Sequence, residues 1–194
     1  MPVDSRKTSA VRCAANPWVV VAQTLLTALA LTACTSISAP TEEAVVVHNI
    51  IDGDTVLLRF PGGQQETVRL LGIDTPETVD PTRPVQCFGP EASTFLTELL
   101  PPGTPVDLER DVTAHDRFGR LLAYVFRSSD GLFVNVEMLR SGFADVSIFA
   151  PNTAYQEALT NAATEARTGS IGLWGACGGP DVALDPEEYE HGTG

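Results

Sequence analysis

Oxygen donors suited to a hard cation occur at two places in this 194-residue chain. Asp54 lies in a polar stretch between two β-branched runs, and Asp74 and Thr75 follow the apolar run at 70–73. The two carboxylates and the Thr75 carbonyl oxygen suit Ca²⁺ better than Zn²⁺, which prefers nitrogen and sulfur ligands. Pro76 disfavours a helical conformation at Thr75, so this carbonyl would lie beside the end of an extended strand.

Two arginines and a glutamate near these oxygen donors have the properties needed at a phosphate group. Arg69 lies five residues before Asp74, and Arg120 ends the loop DRFGR at 116–120. A guanidinium is a fixed planar fork that matches two phosphate oxygens at once. Glu77 would accept a proton from an attacking water or orient that water. A hard cation and two arginines around a phosphate indicate metal-assisted hydrolysis of a phosphodiester.

Each of these segments also has a purely structural interpretation when it is taken alone. Residues 52–55 (DGDT) are typical of a hairpin turn, in which Gly53 would supply a positive φ angle. Residues 116–120 are consistent with an ordinary charged loop, and GPEA at 89–92 is typical of a helix start with proline in its first turn. The chemical interpretation therefore depends on these segments acting together.

The apolar pattern predicts five strands and three helices in one small domain. β-Branched runs predict strands, and apolar residues at helical spacing predict helices. The predicted strands are 45–51, 55–60, 67–73, 105–110 and 121–126, and the predicted helices are 89–100, 133–141 and 153–168. A helix between the third and fourth strands indicates an α+β fold, namely a five-stranded OB-type Greek-key β-barrel with three helices.

The first 33 residues have the form of a secretory signal peptide. A short basic stretch precedes an apolar run at 18–33, which is shorter than the roughly 20 residues of a membrane span. Cys34 follows this run directly, as in a bacterial lipobox, and would then carry lipid and anchor the chain to the cell membrane. The alternatives are an ordinary cleaved signal, which would give a secreted protein, and an uncleaved anchor. All three place the domain outside the cytoplasm.

The rest of the chain is predicted to form one domain between two tails. Residues 34–44 would be a tether, 45–179 the folded domain and 180–194 an acidic disordered tail. Cys87 and Cys177 are the cysteines left after the signal peptide and the lipidated residue are set aside. In an oxidising compartment we expect them to form a disulfide rather than two buried thiols.

Four segments together resemble the staphylococcal nuclease (thermonuclease) family in order and spacing. They are IDGDTV at 51–56, VRLLGIDTPET at 68–78, FGPEAS at 88–93 and DRFGRLLAY at 116–124. The resemblance covers about residues 45–174, which is nearly the whole domain. It implies a Ca²⁺-dependent phosphodiesterase that acts on DNA and RNA and leaves 3′-phosphates.

The resemblance also implies a role for each candidate residue. The calcium ligands of the family match Asp54, Asp74 and Thr75, and its catalytic residues match Arg69, Glu77 and Arg120. Whether Glu77 would be a general base or a residue that positions water stays open. The partner would be nucleic acid, with single-stranded DNA or RNA favoured, and we expect the chain to act as a monomer.

Two departures from the family bear on substrate binding. The tyrosines that stack on substrate in the best-known members have a single aromatic counterpart here, Phe149 in the segment 147–151. Loss of residues 1–33 would remove the one lysine and change the net charge from −13 to −15. So acidic a surface would slow encounter with nucleic acid, because phosphate contacts dominate affinity. The alternatives are an OB-type nucleic-acid or ligand binding module without cleavage activity, and a structural lipoprotein that only binds Ca²⁺.

Overall fold

The computed structural model describes residues 44–82 and 84–184, and every structural statement below concerns these residues. The predicted signal peptide, the predicted lipidation site Cys34 and nearly all of the tether lie outside them, as does the tail from residue 185 onward. No helix in the described part is long and apolar enough to cross a membrane.

The described residues form short strands and helices that follow the predicted order. The strands are β1 (Val46–Asp52), β2 (Thr55–Arg59), β3 (Gln65–Leu70), β4 (Gly72–Asp74), β5 (Val106–Glu109), β6 (Leu121–Arg127), β7 (Leu132–Phe133) and β8 (Asp145–Ser147). The helices are α1 (Gly89–Leu99), α2 (Val134–Arg140), α3 (Gln156–Thr168) and the single turn α4 (Leu173–Ala176).

The main sheet has the strand order β1-β2-β3-β6-β5, with β7 beside β6. β3 and β6 are parallel, which the intervening β4, α1 and β5 allow, and the other neighbours are antiparallel. Val46 of β1 forms a bridge to Pro105, the residue before β5, which brings the two edges of the curled sheet together. The predicted α+β fold, a five-stranded OB-type barrel with three helices, is confirmed, and α4 is an addition that the sequence pattern did not predict.

The apolar core lies between the curled sheet and the helices. Ala92 and Leu96 of α1 are buried, as are Leu159 and Ala163 of α3, at the spacing that places them on one helix face. Leu96 and Leu159 are fully buried, and burial of such a side chain stabilises the fold by roughly 1.5–3 kcal/mol. These buried side chains fix the helices against the sheet, and the candidate site residues lie near the ends of its strands.

The third predicted strand is divided in two at Leu71. Gly72 has a φ angle of +77°, in the region that favours glycine. A Cβ on Gly72 would also lie 2.4 Å from Leu159 Cδ1, so a larger residue has no space there. After the break, β4 leaves the main sheet and pairs antiparallel with β8. The continuous strand predicted at 67–73 was therefore wrong at its end, and the break places Asp74 on a separate small sheet.

A buried asparagine fixes the position of this break. Asn135 of α2 has no exposed surface. Its Oδ1 accepts a hydrogen bond of 2.9 Å from the N–H of Val125 in β6, and its Nδ2 donates one of 2.8 Å to the carbonyl of Leu71. Because a buried polar group left unpaired costs about 1–3 kcal/mol, this side chain holds the helix, the sheet and the broken strand in one arrangement.

The predicted turn at 52–55 joins β1 to β2, but its glycine is needed for a different reason from the one expected. Gly53 is not among the residues with positive φ angles, so the expectation about its backbone was wrong. A Cβ at this position would lie 2.7 Å from Thr75 Oγ1 and 3.0 Å from Ala92 Cβ. Glycine is required here because the turn packs directly against the Thr75 loop and α1.

The predicted disulfide joins Cys87 and Cys177, which are 90 residues apart in the sequence. Beyond Cys177 the chain runs alongside residues 85–87 and forms backbone hydrogen bonds with them. The N–H of Cys87 donates to the carbonyl of Val182 at 2.7 Å, and the N–H of Leu184 donates to the carbonyl of Val85 at 2.9 Å. The chain thus makes backbone hydrogen bonds beyond residue 179, the predicted end of the folded domain.

Candidate active site

The carboxylates of Asp54 and Asp74 meet at the guanidinium of Arg69. Arg69 Nη2 lies 2.8 Å from Asp54 Oδ2 and 2.7 Å from Asp74 Oδ1. Arg69 Nη1 donates hydrogen bonds of 2.8 Å to the carbonyl oxygens of Leu70 and Ile73. Both terminal nitrogens of Arg69 are therefore engaged within the protein, and the two carboxylates are held close together.

Thr75 completes the group of oxygen donors beside Asp54. The N–H of Thr75 donates to Asp54 Oδ2 at 3.3 Å, and Asp54 Oδ1 accepts a hydrogen bond of 2.8 Å from the Thr55 hydroxyl. The Thr75 hydroxyl is buried and has no hydrogen-bond partner among the described residues. A buried group of this kind costs about 1–3 kcal/mol. A water molecule or a ligand bound at this point would remove that cost.

A second buried acid, Asp52, lies behind the pair and connects three segments. Asp52 Oδ1 accepts hydrogen bonds from the N–H of Gly53 at 2.9 Å, from Thr78 Oγ1 at 2.6 Å and from Ser93 Oγ at 3.1 Å. Burial raises the pKa of Asp52, and two neighbouring carboxylates raise it further, while its hydrogen bonds oppose the change. Asp52 thus ties the hairpin turn to the following loop and to α1.

Arg120 is positioned by Asp116, four residues before it. Arg120 Nε donates to Asp116 Oδ2 at 2.7 Å, and its backbone N–H donates to Asp116 Oδ1 at 2.9 Å. Partial burial opposes ionisation of Asp116, but the hydrogen bonds from Arg120 and from the N–H of Phe118 outweigh it and lower the pKa of Asp116. Arg120 Nη1 is 3.5 Å from the Thr55 hydroxyl. Nη1 of Arg120 therefore lies beside the hydroxyl that donates to Asp54.

Glu77 lies in a tight turn that holds its carboxylate. Glu77 Oε1 accepts hydrogen bonds from the N–H groups of Val79 at 2.8 Å and Asp80 at 3.0 Å. The main chain of Glu77 is held on both sides by Gln86, whose Oε1 accepts from the Glu77 N–H at 2.7 Å and whose N–H donates to the Glu77 carbonyl at 2.9 Å. The carboxylate is therefore presented on a fixed turn.

All six predicted residues line one open pocket of about 500 Å³. These are Asp54, Arg69, Asp74, Thr75, Glu77 and Arg120. A larger cavity of about 850 Å³ lies between β5 and the start of β1, but it contains none of the six. We place the candidate active site in the smaller pocket, because the charged groups converge there.

Negative charge is in excess in this pocket, which suits it to a cation. Its five acids are Asp52, Asp54, Asp74, Glu77 and Asp181, against the three arginines Arg69, Arg117 and Arg120. Reduced hydration raises the pKa of Asp74, and Arg69 only partly offsets this. In the described ranges no three His, Cys, Asp or Glu side chains are grouped to hold a metal. A calcium ion would therefore need the Thr75 carbonyl and water in addition to two carboxylates, which is a donor set that Ca²⁺ accepts.

Two exposed phenylalanines lie beside a neighbouring pocket of about 530 Å³, which shares Arg69 and Arg120 with the first. Phe118 is 70% exposed and Phe149 is 77% exposed. The Arg117 guanidinium lies 4.7 Å from the centre of the Phe118 ring. Exposed rings next to arginines are suited to stacking with the bases of a single strand.

Sequence comparison identifies the family. The profile described as "Staphylococcal nuclease homologue" matches residues 67–176, which is more than half of the chain. The chain belongs to the staphylococcal nuclease family. The thermonuclease of Staphylococcus intermedius is 40% identical to it over 132 residues, which cover 68% of this chain and 76% of that protein.

Other members of the staphylococcal nuclease family show similar identity. The thermonuclease of Staphylococcus hyicus is 38% identical over 133 residues, which cover 69% of this chain and 76% of that protein. Endonuclease YncB of Bacillus subtilis is 38% identical over 136 residues, which cover 69% of this chain and 63% of that protein. The chain is thus homologous to nucleases.

Sequence reasoning did not identify the residues that support this staphylococcal nuclease-family site. Asp52 was assigned only to a hairpin turn, and no role was given to Thr78, Gln86, Asn135 or Asp181. Their contacts join segments up to 95 residues apart in the sequence. Only a polar residue within an otherwise apolar helix face, as at Asn135, could have indicated such a role.

Proposed function

We propose that the chain is an extracytoplasmic, calcium-dependent nuclease that hydrolyses phosphodiester bonds of DNA and RNA. The observation that supports this most is the convergence of two arginines, Glu77, Asp54 and Asp74 on one pocket. A module that only binds nucleic acid needs cations for the phosphates, but it does not need a glutamate and paired carboxylates at the same point. Homology to two thermonucleases and an endonuclease supports the same reaction.

The calcium ion would be held by Asp54, Asp74 and the carbonyl oxygen of Thr75, with water completing the coordination. The support for this is that one oxygen of each carboxylate already lies within 2.8 Å of a single positive atom, Arg69 Nη2. When bound, the ion supplies positive charge that stabilises the negative charge on the phosphate during hydrolysis.

The two arginines would bind the phosphate in different ways. Arg120 is oriented by Asp116 through Nε, so its terminal nitrogens form a fork that is fixed before substrate arrives. Arg69 Nη2 is shared by Asp54 and Asp74. With both carboxylates bound to a cation, Nη2 of Arg69 would be available to a phosphate oxygen, while Nη1 would stay on the main chain.

Glu77 would act on the attacking water. Its Oε1 is held by the N–H groups of Val79 and Asp80, so Oε2 would be the oxygen that contacts the water. From this position the carboxylate would either accept the water proton or orient the water for attack on phosphorus. The leaving oxygen would be the 5′ oxygen of the next nucleotide, which leaves a 3′-phosphate on the product.

The substrate would be a single strand with its bases turned outward. Phe118 and Phe149 are exposed beside the arginines, and each ring offers a face to one base. Stacking on an aromatic ring contributes about 1–3 kcal/mol per base and tolerates any sequence. This arrangement therefore favours DNA or RNA single strands without base specificity, bound by one copy of the chain.

We also propose that Cys34 carries lipid, that residues 1–33 are a signal peptide and that residues 34–44 tether the domain to the membrane. The disulfide supports a location outside the cytoplasm, because such bonds persist in oxidising compartments. Membrane fractionation and mass spectrometry of the mature N-terminus test this proposal. Cys34→Ser should release the protein from membranes or leave it unprocessed, and an unmodified N-terminus at another residue would exclude the lipid anchor.

The experiment that tests the nuclease is cleavage of a labelled single-stranded DNA by the purified protein, with Ca²⁺ or with excess chelator. We expect cleavage with Ca²⁺ only and products that end in 3′-phosphate. Arg120→Lys should lower kcat/KM by roughly 100- to 1,000-fold, whereas Arg59→Lys, an exposed change on β2, should not. Binding of DNA without cleavage would indicate a binding module instead, and full cleavage in excess chelator would exclude a requirement for Ca²⁺.

A further inference from the structure

The segment after Cys177 forms one wall of the candidate active site. The disulfide between Cys177 and Cys87 holds this segment beside residues 85–87, and Ala183 pairs antiparallel with Gln86. Hydrogen bonds on either side of this pair attach the segment to the loop that follows Glu77. Asp181 thereby comes to line the pocket that holds the predicted site residues. Asp181 lies beyond residue 176, where the match to the family profile ends.

Gln86 connects this segment to Glu77. The residue is 7% exposed, and both ends of its side-chain amide form hydrogen bonds. Oε1 accepts a hydrogen bond of 2.7 Å from the N–H of Glu77, and Nε2 donates one of 3.0 Å to Asp181 Oδ1. Because Nε2 bonds to Asp181, the amide is oriented with Oε1 toward Glu77.

We propose that Gln86 is a positioning residue for Glu77, and that Asp181 sets the orientation of Gln86. This inference rests on the proposed nuclease function, in which Glu77 acts on the attacking water. The Glu77 carboxylate is bonded to N–H groups of its own turn, at Val79 and Asp80. The turn and the carboxylate therefore move together, and Gln86 connects the turn to the C-terminal segment.

The expected effect is on catalysis rather than on binding. Phosphate contacts come from the arginines, which Gln86 does not touch, so the affinity for substrate should change little. A displacement of a reacting group by about 1 Å can lower the rate by about 100-fold. A variant that releases the Glu77 turn should therefore lower kcat and leave KM nearly unchanged.

The experiment uses four variants of the full chain and single-stranded DNA with saturating Ca²⁺. Gln86→Met keeps the length of the side chain but removes both side-chain hydrogen bonds, whereas Asp181→Ala removes the bond from Gln86 Nε2 and keeps the bond from the Glu77 N–H to Gln86 Oε1. The double variant Gln86→Glu with Asp181→Asn reverses donor and acceptor between residues 86 and 181, and it keeps an oxygen at residue 86 to accept from the Glu77 N–H. Gln156→Met, an exposed change at the start of α3, is the matched control.

We expect Gln86→Met to lower kcat by about 10- to 100-fold with KM changed less than about 2-fold. Asp181→Ala should have a smaller effect in the same direction, and the double variant should recover most of the rate. Gln156→Met should match the wild type. An unchanged kcat in Gln86→Met, or a loss in the double variant as large as in Gln86→Met, would overturn the proposal.

Amide hydrogen exchange at Glu77, followed by NMR, tests the same contact without catalysis. The Glu77 N–H should exchange faster in Gln86→Met and Asp181→Ala than in the wild type, and should be protected again in the double variant. Unchanged exchange in Gln86→Met would show that Gln86 does not hold Glu77. A wild-type protein that does not cleave DNA would refute the nuclease, and the exchange measurement would still decide the role of Gln86.

Discussion

Arg69 and Asp54 form an ion pair of 2.8 Å between side chains that are 16% and 9% exposed. The pair joins the end of β3 to the turn between β1 and β2, and the same nitrogen of Arg69 lies 2.7 Å from Asp74. Loss of one partner from a mostly buried pair leaves the other charge poorly hydrated. With both carboxylates on Arg69 Nη2, removal of one still leaves Arg69 paired with the other, so each carboxylate can be replaced without leaving the guanidinium alone.

Asp54→Ala should weaken calcium binding and abolish most cleavage. It removes one of two carboxylates from the proposed ligand set, whereas Arg69 keeps Asp74 as its partner. We expect the affinity for Ca²⁺ to fall by at least about 10-fold, which corresponds to about 1.4 kcal/mol. Isothermal titration calorimetry without substrate measures this directly, and the DNA cleavage assay measures the rate.

Asp107→Ala is the matched control for this change. It also removes one negative charge, but from an exposed position on β5, outside the candidate active site. Its calcium affinity and cleavage should equal those of the wild type. Equal calcium binding by the Asp54 and Asp107 variants would place the ion elsewhere in the molecule.

Gly53→Ala should damage the site and the fold together. The new Cβ would lie 2.7 Å from Thr75 Oγ1 and 3.0 Å from Ala92 Cβ, so the Thr75 loop has to move. Overpacking of this kind costs about 1–3 kcal/mol. We expect a lower Tm by calorimetry and a lower affinity for Ca²⁺, because Thr75 carries a proposed ligand.

Gly103→Ala separates these two effects. Its φ angle of +89° makes alanine strained, but nothing lies within 4 Å of the added Cβ. The strain costs about 1–2 kcal/mol, so Tm should fall while calcium affinity stays at the wild-type value. A Gly53→Ala protein that loses stability but binds Ca²⁺ normally would show that Thr75 is not a ligand.

The strand pattern and the order of the motifs were sufficient to predict the barrel and the meeting of Asp54, Arg69 and Asp74 in one pocket. Arg69 and Asp74 lie in β3 and β4, and Asp54 lies in the turn between β1 and β2. The break at Gly72 was not predictable in the same way, because the apolar run from 70 to 73 continues through it. What requires the break is the contact with Leu159, a residue far along the chain.

The supporting residues were missed for the same physical reason. Gln86 and Asp181 are ordinary polar residues in segments that the sequence analysis assigned to a loop and a tail. Their contact depends on the disulfide and on an antiparallel pairing between distant segments. The local residue pattern cannot predict a contact between distant segments, whereas the functional residues of the motif at 68–78 all lie within one stretch of chain.

Asp111→Asn should lower stability at neutral pH but not in acid. The N–H of Ala154, the N–H of Val112 and the Tyr124 hydroxyl donate to this carboxylate at 2.9, 2.9 and 3.1 Å. These bonds, that of Ala154 first, lower the pKa of Asp111 in the folded protein. The stabilisation is therefore complete above the unfolded value of about 3.9 and is lost as the pH falls through the lower folded value.

Calorimetry at pH 7 and below about pH 3 checks this dependence, since the unfolded carboxyl is protonated at the lower pH. We expect the free energy of unfolding of Asp111→Asn to be lower by about 1 kcal/mol at pH 7, a modest value because water screens the carboxylate. The difference should shrink in acid. Asp107→Asn, at an exposed position, should leave the free energy of unfolding unchanged at both pH values. An equal loss of stability at both pH values for Asp111→Asn would contradict a lowered pKa of Asp111 in the folded protein.

The dependence of cleavage on salt should be unusual for a nuclease. Without residues 1–33 the chain carries a net charge of −15 and no lysine, and this field opposes the approach of nucleic acid. Salt screens long-range repulsion more than contacts in the pocket, because the Debye length falls from about 10 Å at 0.1 M to about 3 Å at 1 M. Release of counterions acts in the opposite direction, with log K falling by roughly 0.7 per phosphate contact and decade of salt.

Few phosphate contacts are offered at this site, because three arginines (Arg69, Arg117 and Arg120) line the pocket and Nη1 of Arg69 is engaged on the main chain. We therefore expect kcat/KM on single-stranded DNA, at saturating Ca²⁺, to stay level or rise between about 0.1 and 0.5 M NaCl.

The variant Glu98→Lys with Asp107→Lys makes the surface less acidic at two exposed positions away from the site. Its kcat/KM should be higher at low salt and fall more steeply as salt is added. A steep fall in the wild type would mean that several more phosphates are bound than the pocket arginines account for.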